Sequence, residues 1–90
     1  MKVEFLSKFN KDLDKIKSDN IKNSILKVIQ SVENVNSLSD IKNIKKLTGF
    51  RNAYRIRIGN YRIGLYYENN ILEFVRILHR KDIYKVFPHT

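Results

Sequence analysis

The 90-residue chain has no cysteine and no tryptophan, one proline, three glycines and two histidines. Without cysteine there is no disulfide, no thiolate zinc site and no thiol nucleophile. His79 and His89 alone are too few for a protein-built zinc site. No apolar run approaches the ~18 residues of a membrane-spanning helix. The N-terminal MKVEFLSKF alternates polar and apolar residues, unlike a signal peptide. Acidic residues are also scarce: 9 Asp+Glu face 18 Lys+Arg, leaving a net charge of +9. These absences point to one small domain over residues 1–90, basic at its surface, cytoplasmic and off the membrane. With 42% apolar and 11% aromatic residues it can supply a core, which argues against disorder.

The charge is unevenly distributed. The chain is rich in Lys, Asn and Ile, a bias that makes bulk lysine weak evidence of function. Ten of the twelve lysines lie in residues 1–46, whereas all six arginines lie in residues 51–80. Arginine holds phosphate in a planar, bidentate fork that lysine lacks. Its clustering points to an anion partner there; a solvated surface kept for solubility would account for the count equally well.

Residues 2–6 read as a short strand with Val3 and Phe5 on one side. Ser7 is the expected N-cap of a helix through about Lys17, with Phe9, Leu13 and Ile16 as its apolar stripe. Ser18-Asp19-Asn20 offers a second cap. A second helix then runs from about Ile21 to Val35, with Ile21, Ile25, Val28, Ile29, Val32 and Val35 on one face. Residues 41–48 fit either a strand or irregular structure. Residues 53–58 and 61–67 alternate strictly around Gly59-Asn60, a two-residue hairpin loop expected to be type II′. Residues 71–78 form another strand, and RKDIYKVFP a last short helix that begins near residue 80 and ends at Pro88. The expected fold class is α+β, in the order β-α-α-β-β-β-(α). An N-terminal helical hairpin packs on one face of an antiparallel sheet.

A two-residue loop fixes the hairpin register as Ile58–Tyr61, Arg57–Arg62, Ile56–Ile63, Arg55–Gly64 and Tyr54–Leu65. Tyr54, Ile56, Ile58, Tyr61, Ile63, Leu65 and Tyr67 then share the face that meets the helices. Arg55, Arg57 and Arg62 share the other. Like charges directly opposite on a sheet destabilise it, so pairing Arg57 with Arg62 calls for an anion lying over both. Gly64 is expected to leave a gap beside Arg55 for a phosphate or base. A three-residue loop after Tyr67 puts Arg76 on this basic face; a two-residue loop puts it on the other. Arg76 and Lys81 complete the set of candidate phosphate contacts with Arg55, Arg57, Arg62 and Arg80.

There is no Gly-rich phosphate loop, metal cluster, paired carboxylate or Ser-His-Asp set in this chain, and no cofactor is expected. Arg55, Arg57, Arg62, Arg80, Tyr84 and His79 suit metal-independent cleavage of RNA, in which the substrate's own 2′-hydroxyl is the nucleophile. Arginines stabilise the charge of the phosphorane. A tyrosine ring can stack on a base, and Arg80 and Tyr84, at i and i+4, would share a helix face. Histidine suits proton transfer near neutrality, although His79 reads equally as a polar strand-end residue orienting Arg80.

These residues resemble the RelE/ParE toxin superfamily of type II toxin–antitoxin systems, over the whole chain in length and element order. The resemblance is most specific in residues 46–87. There Leu47, Gly49, Tyr54-Arg55-Ile56-Arg57, Gly59, Tyr61-Arg62-Ile63, His79-Arg80 and Ile83-Tyr84 fall on the family's pattern. The resemblance implies a ribosome-dependent endoribonuclease that cuts mRNA in the decoding A site of the small subunit, with Arg55, Arg57, Arg62, Arg80 and Tyr84 in its site. It also implies a cognate antitoxin protein as partner. The chain departs from the best-known RelE pattern in having arginine in place of lysine at 55 and 57. A permanently protonated guanidinium does not serve as a general base, so proton transfer passes to Tyr84 or His79. Two other readings fit the same fold: a ParE-type inhibitor of DNA gyrase, and a nucleic-acid-binding module without chemistry. Retention of Arg62, Arg80 and Tyr84 together favours the nuclease.

Overall fold

The computed structural model describes residues 1–88; His89 lies outside the described residues. The elements are β1 (Lys2–Phe5), α1 (Ser7–Lys15), α2 (Asp19–Asn34), β2 (Ile44–Lys46), β3 (Ala53–Ile58), β4 (Tyr61–Glu68), β5 (Ile71–His79) and α3 (Ile83–Val86). A single 3₁₀ turn at Leu38–Asp40 joins α2 to β2. The five strands form one sheet in the order β1-β5-β4-β3-β2. The helical hairpin carries the chain from one sheet edge to the other.

The α+β class and the element order are as the sequence predicts, with two refinements. Strands β2 to β5 are antiparallel, but β1 joins β5 in parallel, with Val3 opposite Leu72 and Phe5 opposite Phe74. The segment that fitted either strand or loop contributes β2, only three residues long, paired Ile44–Ile56, Lys45–Arg55 and Lys46–Tyr54.

The helical stripes are buried as their spacing demands. Phe9, Ile16, Ile25 and Val32 join Ile56, Ile63, Leu65, Leu72, Phe74 and Ile77 in the main core. At ~1.5–3 kcal/mol for each fully buried large side chain, this layer is the main stabilising term. Ser18 caps α2, its Oγ accepting from the Ile21 N–H at 3.3 Å. The expected cap on α1 is different: Leu6 occupies the N-cap position, and Ser7 is already inside the helix without a capping bond.

The hairpin register matches the alternation pair for pair, including Arg57 opposite Arg62. Gly59 supplies the positive φ (+56°) that a type II′ turn needs at its first position. The next turn has two residues, Asn69 and Asn70, both at positive φ (+54° and +62°), as a type I′ turn requires. A bulge then interrupts β4–β5: Leu65 faces Phe74, but Gly64 faces Arg76, leaving Val75 as the extra residue. Beyond it the alternation of β5 is inverted, so Leu78 accompanies Arg62 and His79 accompanies Tyr61.

The sheet face opposite the helical hairpin is only partly open. A second apolar cluster of Ala53, Ile83 and Phe87, flanked by Leu47, Phe50, Tyr66, Val75 and Leu78, covers its middle. Among the described residues no helix is long and apolar enough to cross a membrane.

Candidate functional site

The open part of this second face is a cleft of ≈ 610 Å³ lined by Lys45, Lys46, Leu47, Thr48, Arg55, Arg62, Arg80, Lys81 and Tyr84. Six of these nine residues are cationic and none is acidic. Arg55 and Arg62 come from β3 and β4, Lys45 from β2, and Arg80, Lys81 and Tyr84 from the chain leaving β5. Strand pairing itself assembles the charge, because Lys45 stands directly opposite Arg55 and Arg57 opposite Arg62. Each such pair costs a few tenths of a kcal/mol or more.

Backbone carbonyls hold the arginines in place. Arg62 Nη1 donates to the Gly59 carbonyl at 2.8 Å and the Tyr61 carbonyl at 2.9 Å. Arg55 Nη1 donates to the Asn43 carbonyl at 2.8 Å. Asn43 turns that carbonyl in with φ +62° and also accepts the Arg57 N–H at 3.2 Å. Each of these two guanidinium groups thus spends one terminal nitrogen on a backbone carbonyl, and Nε and Nη2 have no hydrogen-bond partner among the described residues. Arg80 is anchored through its backbone, its N–H donating to the Asn60 carbonyl at 2.7 Å. An oriented fork loses less side-chain entropy on meeting a phosphate than a free one.

Several sequence-based placements are corrected. Arg80 and Tyr84 do not share a helix, because α3 begins only at Ile83 and Arg80 lies in the turn after β5. They reach the same cleft from turn and helix. Tyr84 stands at its rim, 52% exposed. Gly64 leaves no gap for a ligand: the Phe87 ring lies over it, and a Cβ there would meet ring atoms at 2.6–2.8 Å. The absent side chain admits the protein's own C-terminal plug.

Arg76 is not on the basic face. Its Nε and Nη2 donate to Asp12 Oδ2 and Oδ1 at 2.7 and 3.1 Å, so its fork is already occupied. The bond to Asp12 raises the Arg76 pKa further above the ordinary arginine value, with burial opposing it. Asp12, itself buried in α1, also accepts the Ile77 N–H at 3.1 Å and so ties the helix to the bulged stretch of β5. His79 is likewise on the helix side, edge-on to Tyr61 with ring centroids 5.8 Å apart. Its Nδ1 accepts the Lys81 N–H at 3.1 Å, which steadies the turn carrying Arg80. Arg57 lines a neighbouring cleft that shares Arg62 and Arg80 with the first.

The sequence pattern did not single out Lys45, Lys46 or Thr48. Their signal is the alternation Ile44-Lys45 before Gly49, too short to read as a strand without its partner β3. Asp12 was also missed; a lone acid within an apolar helix stripe is the only trace it leaves. Among the described residues no cluster of His, Asp or Glu could hold a metal ion.

The α+β fold with its helical hairpin and five-stranded sheet is shared with solved structures of a group of toxins. Residues 3–84 match the family model described as the ParE toxin of a type II toxin–antitoxin system, and the chain belongs to the RelE/ParE superfamily of type II toxins. It is 47% identical over 89 residues to Toxin RelE3 of Methanocaldococcus jannaschii, covering 98% of this chain and 100% of that protein. A RelB-RelE antitoxin–toxin complex from Methanococcus jannaschii superposes with a TM-score of 0.79 at 44% identity, covering 94% of this chain and 99% of that one. The intact E. coli RelBE complex shares the fold, with a TM-score of 0.61 at 16% identity over 84% of this chain and 92% of that one.

Proposed function

We propose that this toxin is a ribosome-dependent endoribonuclease that cleaves mRNA in the A site, and that a cognate antitoxin protein neutralises it. The observation that carries the reading is the convergence of Arg55, Arg62, Arg80 and Tyr84 on one acid-free cleft. In the reaction the 2′-oxygen bonds to phosphorus as its proton leaves. The P–O5′ bond breaks and the 5′-oxygen gains a proton. The products are a 2′,3′-cyclic phosphate and a 5′-hydroxyl end. Arg55, Arg62 and Arg80 hold the phosphate in line and stabilise the extra charge of the phosphorane. Tyr84, exposed at the rim, stacks on a base and turns the backbone toward attack.

Proton transfer falls to groups that line the cleft. The guanidinium groups keep their protons, and His79 lies on the other side of the sheet. The Tyr84 hydroxyl and the ammonium groups of Lys45, Lys46 and Lys81 are the side chains there that exchange protons. The net charge of +9 draws the protein to the phosphate-dense ribosome. The RelB-RelE complexes support the antitoxin partner, since each pairs a similar toxin with its antitoxin.

The test is an in vitro translation reaction with purified protein, read by primer extension. A-site cuts should appear with the wild type and fall by about 10²-fold or more in Arg62→Ala and Arg80→Ala. Unimpeded translation together with stalled supercoiling by gyrase would instead establish the ParE-type activity and sink the nuclease reading.

A further inference from the structure

One residue holds most of the turn that carries Arg80. The turn runs from Arg80 to Asp82 and joins β5 to α3. Arg80 N–H donates to the Asn60 carbonyl at 2.7 Å, and Asp82 N–H to the His79 carbonyl at 2.8 Å. Lys81 N–H donates to His79 Nδ1 at 3.1 Å. A side chain that accepts the N–H two residues on is the arrangement of an Asx or ST turn, where Asn, Asp or Ser is the usual acceptor. An imidazole in that place differs from all three, because it changes charge between about pH 5 and 8.

A backbone N–H can only donate, so this bond requires an unprotonated Nδ1 and puts the neutral ring's proton on Nε2. In the imidazolium both ring nitrogens are donors, and Nδ1–H then meets Lys81 N–H donor against donor. The small cleft beside the ring is lined by Asp12 and Lys15 of α1, Tyr61 of β4, Arg76 of β5 and Asp82 of the turn. Asp12 is taken by Arg76 and Asp82 by Lys85, so neither carboxylate is left unpaired to replace the lost bond.

We propose that His79 is a pH-sensitive positioning residue: neutral, it fixes the turn that presents Arg80 and Lys81 to the basic cleft, and protonated, it releases that turn. The ring itself stays in place, edge-on to its cross-strand neighbour Tyr61, so breaking the bond loosens the turn rather than moving the histidine. Arg80 keeps its backbone bond to Asn60, which limits the change to a loosening. Arg80 and Lys81 are exposed cleft residues, and both follow the turn backbone. For its effect on cleavage the inference rests on the nuclease reading; the release of the turn does not.

The experiment follows Lys81 amide exchange by NMR from about pH 8 to 5.5, corrected for the intrinsic pH dependence of exchange. The His79 ring protons report the titration in the same samples. Protection of Lys81 in the wild type should fall by about three- to tenfold as the ring protonates, the worth of one net hydrogen bond. His79→Asn places Oδ1 where Nδ1 stands and does not titrate, so its protection should stay level. His79→Leu has no acceptor and should be low throughout. Cleavage is then read in the translation reaction at about pH 7.5 and 6.0 and normalised to His79→Asn, which removes the pH response of the ribosome. On that scale the wild type should lose about three- to fivefold at the lower pH.

Lys81 protection that stays level through the His79 titration, or falls equally in His79→Asn, overturns the proposal. A turn that loosens while normalised cleavage stays constant overturns the positioning role and leaves the nuclease reading intact. A turn that loosens in the wild type but not in His79→Asn, in a protein that cuts no mRNA at either pH, supports the switch while the nuclease reading fails.

Discussion

Substituting Gly64 by alanine tests whether the C-terminal plug is built on a missing side chain. Gly64 is not among the residues at positive φ, so alanine fits its backbone; the obstacle is space. The new Cβ would lie 2.6, 2.7 and 2.8 Å from Cδ2, Cγ and Cε2 of Phe87, against about 3.5–4.0 Å for a comfortable carbon contact. The ring must retreat by about 1 Å, yet it is only 2% exposed and packs with Ala53, Ile83 and Tyr66. Overpacking of this kind costs about 1–3 kcal/mol. Replacing a strand glycine returns about 0.5–1 kcal/mol through the unfolded chain. The net expectation is a loss of about 1–2 kcal/mol, measured by urea unfolding, with Tm falling roughly 4–8 °C per kcal/mol. The ring carries α3 with it, through the Phe87 N–H bond to the Ile83 carbonyl at 2.9 Å, and α3 holds Tyr84. RNA affinity should therefore fall although no cation is touched. Trimming the ring should relieve the clash, so Gly64→Ala with Phe87→Leu should be less destabilised than the sum of the single variants by about 1 kcal/mol. Strictly additive effects, or a Gly64→Ala protein as stable as the wild type, would refute the contact.

Asp12→Ala should destabilise the fold by about 2–4 kcal/mol in the same urea assay, because it strands the Arg76 guanidinium and the Ile77 N–H together. Arg76→Met should give a loss that is flat from about pH 6 to 10. The folded-state pKa of the guanidinium lies above its unfolded value, so its contribution is complete below the unfolded value and vanishes only beyond it. His79→Gln should retain cleavage within about threefold, since the imidazole faces Tyr61 rather than the cleft; a fall of about 10²-fold would restore it as a general acid or base.

The hairpin was legible because two rigid rules meet there. Side chains alternate with period 2, and Gly59-Asn60 permits a single two-residue turn, so Arg57 and Arg62 had to face each other. The helical stripes and the Ser18 cap were legible on similarly local grounds. What escaped was every feature that depends on a distant partner. Three residues at 44–46 become a strand only because β3 has a free edge. The bulge opposite Gly64/Leu65 inserts one residue and inverts the alternation of β5. That inversion alone moves His79 off the arginine face, where an unbroken ladder from the Asn69-Asn70 turn would have put it. Phe87 comes to lie over Gly64 through tertiary packing 23 residues along the chain, and Asp12 meets Arg76 across 64.

The net charge shows how far such placement outweighs composition. Along the outer face of β4 the alternation runs Arg62, Gly64, Tyr66, Glu68. Arg62 belongs to the basic cleft, Gly64 lies under Phe87, and Tyr66 and Glu68 line a small cleft with Glu4 and Glu73. One sheet face thus carries its cations at one end and three glutamates at the other, with an apolar plug between them. Those glutamates lie beyond the plug, with Glu68 nearest Arg51 at 3.7 Å, and Asp82 is engaged by Lys85 at 3.4 Å. Moved two residues along β4, the Glu68 carboxylate would sit beside the plug and help to neutralise the cleft. The same +9 would remain, and the local field that selects a polyanion would be weakened. The function proposed here therefore depends less on the excess of basic residues than on the separation that Phe87 and Gly64 maintain between the few acids and the arginines.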